Sequence, residues 1–154
     1  MREFTDSQGR TWRLQMTIGA LKRVRNLTGI DLLGLSDGSP PLLTRLGTDV
    51  VLLIDTIFAL LKPDADAAGV TDEEFGASLG GEAAQNAQKA FYEELADFLR
   101  GLGRAELARA VTTQADLMKA AVAEADGILA KINPTQEVKR IFGPASTSSP
   151  ESAA

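Results

Sequence analysis

The sequence predicts a mainly α-helical fold, a small helical bundle with an N-terminal β-hairpin, and three observations lead to it. Apolar residues from Ile18 onward recur at steps of three or four, the period of helices that bury one side. Only residues 4–17 alternate at a period of two. Aromatic residues supply just 5% of the chain while Ala and Leu fill the periodic segments, a mix that favours helix. With 154 residues the chain can bury one core but not two. Residues 1–142 are therefore expected to form a single helical domain, and residues 143–154, rich in Ser, Pro and Ala, a disordered tail.

The hairpin is expected over residues 4–17. Asp6-Ser7-Gln8-Gly9 supplies its turn, and Trp12, Leu14 and Met16 alternate with Arg13 and Gln15. A lone hairpin is marginal in water, so Phe4, Trp12 and Leu14 must lie on the helices that follow. Trp12 thus reads as a structural peg in preference to a binding anchor. Thr17 can cap a helix that carries Ile18, Leu21, Val24 and Leu27 on its buried face and Lys22, Arg23 and Arg25 outward, with Gly29 in the C′ position. Asp31 starts a further turn ahead of a loop over residues 36–41. Leu43, Leu46, Val50, Ile54, Ile57 and Leu61 then predict one continuous helix, which Lys62-Pro63 ends. Its Thr48, Asp49, Asp55 and Thr56 fall on a narrow polar strip, where Asp55 is expected to meet solvent or a neighbour's cation.

The densest local signals lie over residues 70–102. Thr71 and Glu74 form a capping box, and Val70 and Phe75 are spaced to close on each other as a hydrophobic staple. Gly80-Gly81 ends that short helix. Ala84, Ala87, Phe91, Leu95, Phe98 and Leu102 mark the buried face of the next, opposite a solvated stripe of Glu82, Gln85, Asn86, Lys89, Glu93, Asp97 and Arg100. A last helix is expected over residues 105–132, well beyond the usual 11 or so residues. Its second half carries Met118, Val122, Ile128, Leu129 and Ile132 on a run otherwise of Ala, Glu, Asp and Lys. These five are the candidate partner-binding residues of an amphipathic arm, with a return along the bundle as the other arrangement open to them.

Composition narrows the chemistry. The chain has no cysteine and no histidine, which removes disulfides, thiolate and imidazole metal ligands, and the Ser-His and Cys-His nucleophile pairs. No catalytic, cofactor-binding or metal-binding residues are therefore assigned. Asp64, Asp66 and Gly69 match three positions of a calcium loop, but Ala68 and Phe75 stand where ligands are needed, so residues 64–74 read as an acidic approach to the next helix. Gly101-Leu102-Gly103 follows a helix and not a strand, unlike a dinucleotide-binding turn. The most apolar run, residues 50–61, is interrupted by Asp55 and falls far short of the roughly 20 residues a bilayer needs. The charged N-terminus lacks the apolar stretch of a signal peptide, so no membrane association is expected, and the Asn26-Leu27-Thr28 sequon reads as accidental.

The formal charge of −5 is unevenly spread. Residues 1–30 hold six cations against Glu3 and Asp6, whereas residues 64–97 hold nine acids against Lys89 alone. The two regions can face each other, offer a partner two patches, or simply keep the surface solvated.

Phe4-Thr5-Asp6-Ser7-Gln8-Gly9-Arg10-Thr11-Trp12, the Leu21-Lys22-Arg23-Val24 helix ending in Thr28-Gly29-Ile30-Asp31-Leu32, and Thr71-Asp72-Glu73-Glu74-Phe75-Gly76 before an Ala-rich helix together resemble tail assembly chaperones of long-tailed bacteriophages. The resemblance covers residues 4–102 and carries no catalytic signature. It implies a non-enzymatic protein of the host cell cytoplasm that coats the tape-measure protein, recruits tail-tube subunits and is absent from the finished particle. Such proteins often occur in a short and a frameshifted longer form, and a long helix followed by a soft tail suits the short one. Two other functions compete with this expectation. One is a structural tail or head–tail connector protein kept in the virion, and the other is a small nucleic-acid-binding regulator that uses Lys22, Arg23 and Arg25.

Overall fold

Two strands, β1 (Arg2–Thr5) and β2 (Thr11–Leu14), form an antiparallel hairpin at the start of the chain. Six helices follow among the described residues: α1 (Ile18–Thr28), α2 (Leu42–Thr48), α3 (Val50–Ala68), α4 (Asp72–Ala77), α5 (Glu82–Gly101) and α6 (Ala105–Lys131). This is a computed structural model, and it describes the backbone of residues 1–131 and the side chains of residues 1–128. Its architecture is the mainly helical one with an N-terminal hairpin that the periodicities predict. The described residues fall into two units, Met1–Asp116 and a second that begins at Leu117. Ile132 and the tail of residues 143–154 lie outside the described residues.

In the hairpin Phe4 pairs with Trp12 and Arg2 with Leu14. The turn is held by one side chain. The Asp6 carboxylate accepts from the backbone N–H of Gln8 (2.9 Å) and Arg10 (3.0 Å), from Arg10 Nε (2.8 Å) and from Trp12 Nε1 (2.9 Å). Gly9 completes the turn at φ 82°, a conformation that suits a residue without Cβ. Trp12 is thereby a peg, buried to 4% exposure with its one polar atom paired.

The hub of the first unit is Phe75, fully buried on the short helix α4. Its ring meets Phe4, Trp12 and Phe58 at centroid distances of 6.5, 5.4 and 5.3 Å. Thr71 Oγ1 accepts from the Glu74 N–H at 3.1 Å, as the capping box requires, and Val70 is buried with Phe75. A backbone bond from Ser7 N–H to Ser78 O (2.8 Å) ties the hairpin turn to the end of α4. Helix α5 packs against both strands, and its Glu94, buried to 5% exposure, accepts from Met16 N–H at 3.0 Å.

Thr17 caps α1 by accepting from Ala20 N–H, and Gly29 closes it at φ 76°, both as expected. Four expectations are corrected. The helix predicted over residues 43–61 is two helices, because Asp49 (φ −119°, ψ 95°) leaves the helical region and its side chain caps α3 by accepting from Leu52 N–H. Pro63 does not end α3. The Ala59 carbonyl, deprived of its usual donor by the proline, accepts from Arg23 Nε at 2.9 Å, and Leu60 O accepts from Arg23 Nη2 at 2.7 Å. Residues 64–68 are therefore the last turns of α3, and the Lys62 ammonium donates to Asp66 within it.

The fourth correction concerns buried faces. Ile18 and Leu27 are 48% and 54% exposed, because α1 meets α3 through Ala20, Leu21 and Val24. Leu102 falls just past α5 and is exposed, while on α5 itself Ala84 and Phe98 are half-buried and Ala90, Tyr92, Ala96 and Leu99 join the core, since this helix has neighbours on more than one side. Gln114 of α6 ties one of them, Tyr92, to α2. Its Nε2 donates to Leu43 O (2.7 Å) and to the Tyr92 hydroxyl (3.0 Å). Gly47 leaves room for that side chain, for a Cβ there would stand 2.8 Å from Gln114 Nε2.

Candidate protein-binding surfaces

Helix α6 changes character along its length. Ala108 and Val111 are buried and Leu107 and Gln114 half-buried, whereas residues 119–128 are exposed throughout. Of the predicted partner-binding residues, Met118 is half-buried, Val122 is 38% exposed and Ile128 is 53% exposed. Leu117, not singled out by periodicity, is 67% exposed. Leu129 belongs to the helical backbone of α6, and Ile132 lies outside the described residues. Met118, Val122 and Ala125 follow one another at i, i+4 and i+7, so a single face presents them.

The basic stripe of α1 is smaller than its sequence suggests. Arg23 is half-buried with its guanidinium spent on the carbonyls of Ala59 and Leu60, which leaves Lys22 and Arg25 exposed. Two cations one turn apart on a chain with a net charge of −5 make a poor phosphate-binding surface. The paired carboxylates Glu93 and Asp97 are likewise occupied. Arg2 stands against both, Lys89 is 3.9 Å from Glu93, and Arg100 donates to Asp97 at 2.8 Å. Of the N-terminal cations Arg2 thus faces the acidic middle, across β1 and α5, while Arg10 and Arg13 pair within the hairpin with Asp6 and Glu3.

A second surface combines residues that lie far apart in the chain. Leu27, Thr28 and Ile30 at the end of α1, Leu52, Asp55, Phe58, Ala59 and Lys62 of α3, and Asp72 of α4 line an open groove of about 390 Å³. Asp55 has its carboxyl pushed above the ordinary range, by partial burial first and then by the charges of Asp72 and Asp49. Lys62 does not neutralise it, since its ammonium pairs with Asp66 at 2.6 Å and lies over the Phe58 ring. Sequence periodicity places Asp55 on a polar strip but has no means of finding the groove, which needs the α1–α3 packing to exist.

Among the described residues no three acidic side chains gather as a metal site, and no helix is long and apolar enough to cross a membrane. Comparison of the chain with protein-family models, with curated proteins and with solved structures finds no match.

Proposed function

We propose that this chain is a non-catalytic assembly chaperone for a long-tailed phage, one that binds the tape-measure protein and recruits tail-tube subunits in the host cytoplasm. The observation that carries the reading is the distal part of α6, where Leu117, Val122 and Ile128 stand exposed on a stretch made mostly of Ala and charged residues. An amphipathic helix of this kind docks reversibly by laying its apolar face on a partner helix or groove. The order of the hairpin, Leu-Lys-Arg-Val and Thr-Asp-Glu-Glu-Phe motifs adds the family resemblance, and a chain without histidine or cysteine suits a function that needs no nucleophile or general base.

Co-expression with a tape-measure fragment followed by affinity capture tests the reading. The wild-type chain should recover a complex, and Val122→Asp with Ile128→Asp should lose it while the melting temperature stays put, because both side chains are already exposed. Failure of the wild type to retain any fragment at micromolar concentration would overturn the proposal. Mass spectrometry of purified particles separates an assembly factor, which should be missing, from a virion component, which should be present.

A further inference from the structure

The groove between α1 and α3 has a composition that specifies what fits it. Its floor is apolar, formed by Leu27, Ile30, Leu52, Phe58 and Ala59. Leu27 is 54% exposed there, an apolar side chain with no neighbour to cover it. Its polar groups are nearly all in use. The Thr28 hydroxyl donates to Val24 O at 2.6 Å and accepts from Ile30 N–H at 3.1 Å, and Lys62 is held by Asp66. What remains are the carboxylates of Asp55 and Asp72. Among the described residues neither has a Lys or Arg within ion-pair distance. An apolar floor beside two acceptors that repel each other calls for a cation flanked by apolar groups.

We infer that this groove docks a segment of a protein partner that carries an Arg or Lys beside apolar side chains, its cation against Asp55 and Asp72 and its neighbours on Leu27, Ile30, Leu52 and Phe58. A polypeptide fits better than a small ligand because the apolar strip continues beyond the groove. Val51 precedes Asp55 by one turn on the same face of α3 and is 66% exposed. The surface lies wholly within the unit Met1–Asp116, so it does not rest on the reading of distal α6.

Fluorescence anisotropy of the full chain with two labelled helical peptides tests this inference. The peptides share their Leu and Ala positions and differ only in carrying Arg or Glu between them. The Arg peptide should bind the wild type about tenfold or more tightly than the Glu peptide. Asp55→Arg with Asp72→Arg should invert that order, and amide shifts on adding the Arg peptide should fall on residues 27–30 and 52–62. Leu27→Ser, a change at an exposed position that leaves the fold intact, should weaken the Arg peptide by several-fold without altering the charge preference. Equal affinity of the two peptides for the wild type, an order unchanged by the reversal, shifts that fall elsewhere, or indifference to Leu27→Ser would each overturn the inference.

Discussion

Asp6 shows how much of a hairpin can depend on one carboxylate. Burial alone would push its carboxyl up, but hydrogen bonds from the side chains of Arg10 and Trp12 and from the backbone of Arg10 and Gln8 outweigh that and hold it at about 2. A group whose folded pKa lies below its unfolded value of 3.8 contributes its stabilisation above the unfolded pKa and loses it as pH falls through the folded one. The loss amounts to roughly 2 kcal/mol spread between about pH 4 and pH 2. Urea melts across that range should show wild-type stability falling on this limb. Asp6→Asn, already less stable at neutral pH, should lack that share of the slope. A variant with the same acid limb as the wild type would mean that other carboxylates govern it.

At the scale of elements, the joint between α1 and α3 carries the clearest consequence. Pro63 removes the donor that Ala59 O would have found inside its own helix, and Arg23 supplies a replacement from 36 residues upstream. Arg23→Ala should leave two carbonyls in a largely buried joint without their charged donor and cost about 1–3 kcal/mol, whereas Arg25→Ala, at an exposed position, should stay within about 0.5 kcal/mol. Adding Pro63→Ala restores a backbone N–H for Ala59, so the Arg23→Ala penalty should shrink in that background. Chemical denaturation of the four proteins in the cycle measures the coupling, and simple additivity would remove Arg23 from its assigned role. The same joint marks where sequence reading reaches its limit. Caps at Thr17 and Thr71, the turn at Asp6 and the stop at Gly29 are local signals, complete within five residues or so, and each was legible. The passage of α3 through Pro63 and the break at Asp49 were not, because the first depends on a distant guanidinium and the second interrupts an apolar period that continues across it. The α1–α3 groove stayed hidden for a related reason: Leu27 reads as a core residue on helical spacing and becomes a surface one only when α1 meets α3 through Ala20, Leu21 and Val24. On α6 a single helix displays its own period, which is what singles out Met118, Val122 and Ile128, yet that period passes over Leu117, which is 67% exposed.

For the whole molecule, the question is how its stability and its binding surfaces are shared along the chain. Every buried side chain among the described residues falls between Phe4 and Val111, inside the unit Met1–Asp116. Burial of apolar surface is the dominant stabilising term, so the cooperative unfolding of this protein should reside in that unit. A chain ending at Asp116 keeps the whole of that core together with Gln114, whose bonds to Leu43 and Tyr92 hold α6 to α2 and α5. It should unfold in a single transition with a denaturation midpoint close to that of the full chain. The same truncation removes Leu117, Val122 and Ile128 while leaving Leu27, Asp55 and Asp72 in place, so it separates the two proposed surfaces. Capture of the tape-measure fragment should be lost and the charge preference for the Arg peptide retained. If the shortened chain instead unfolds without cooperativity, residues beyond Asp116 contribute to the core, and the division of labour between a folded body and a binding helix is wrong.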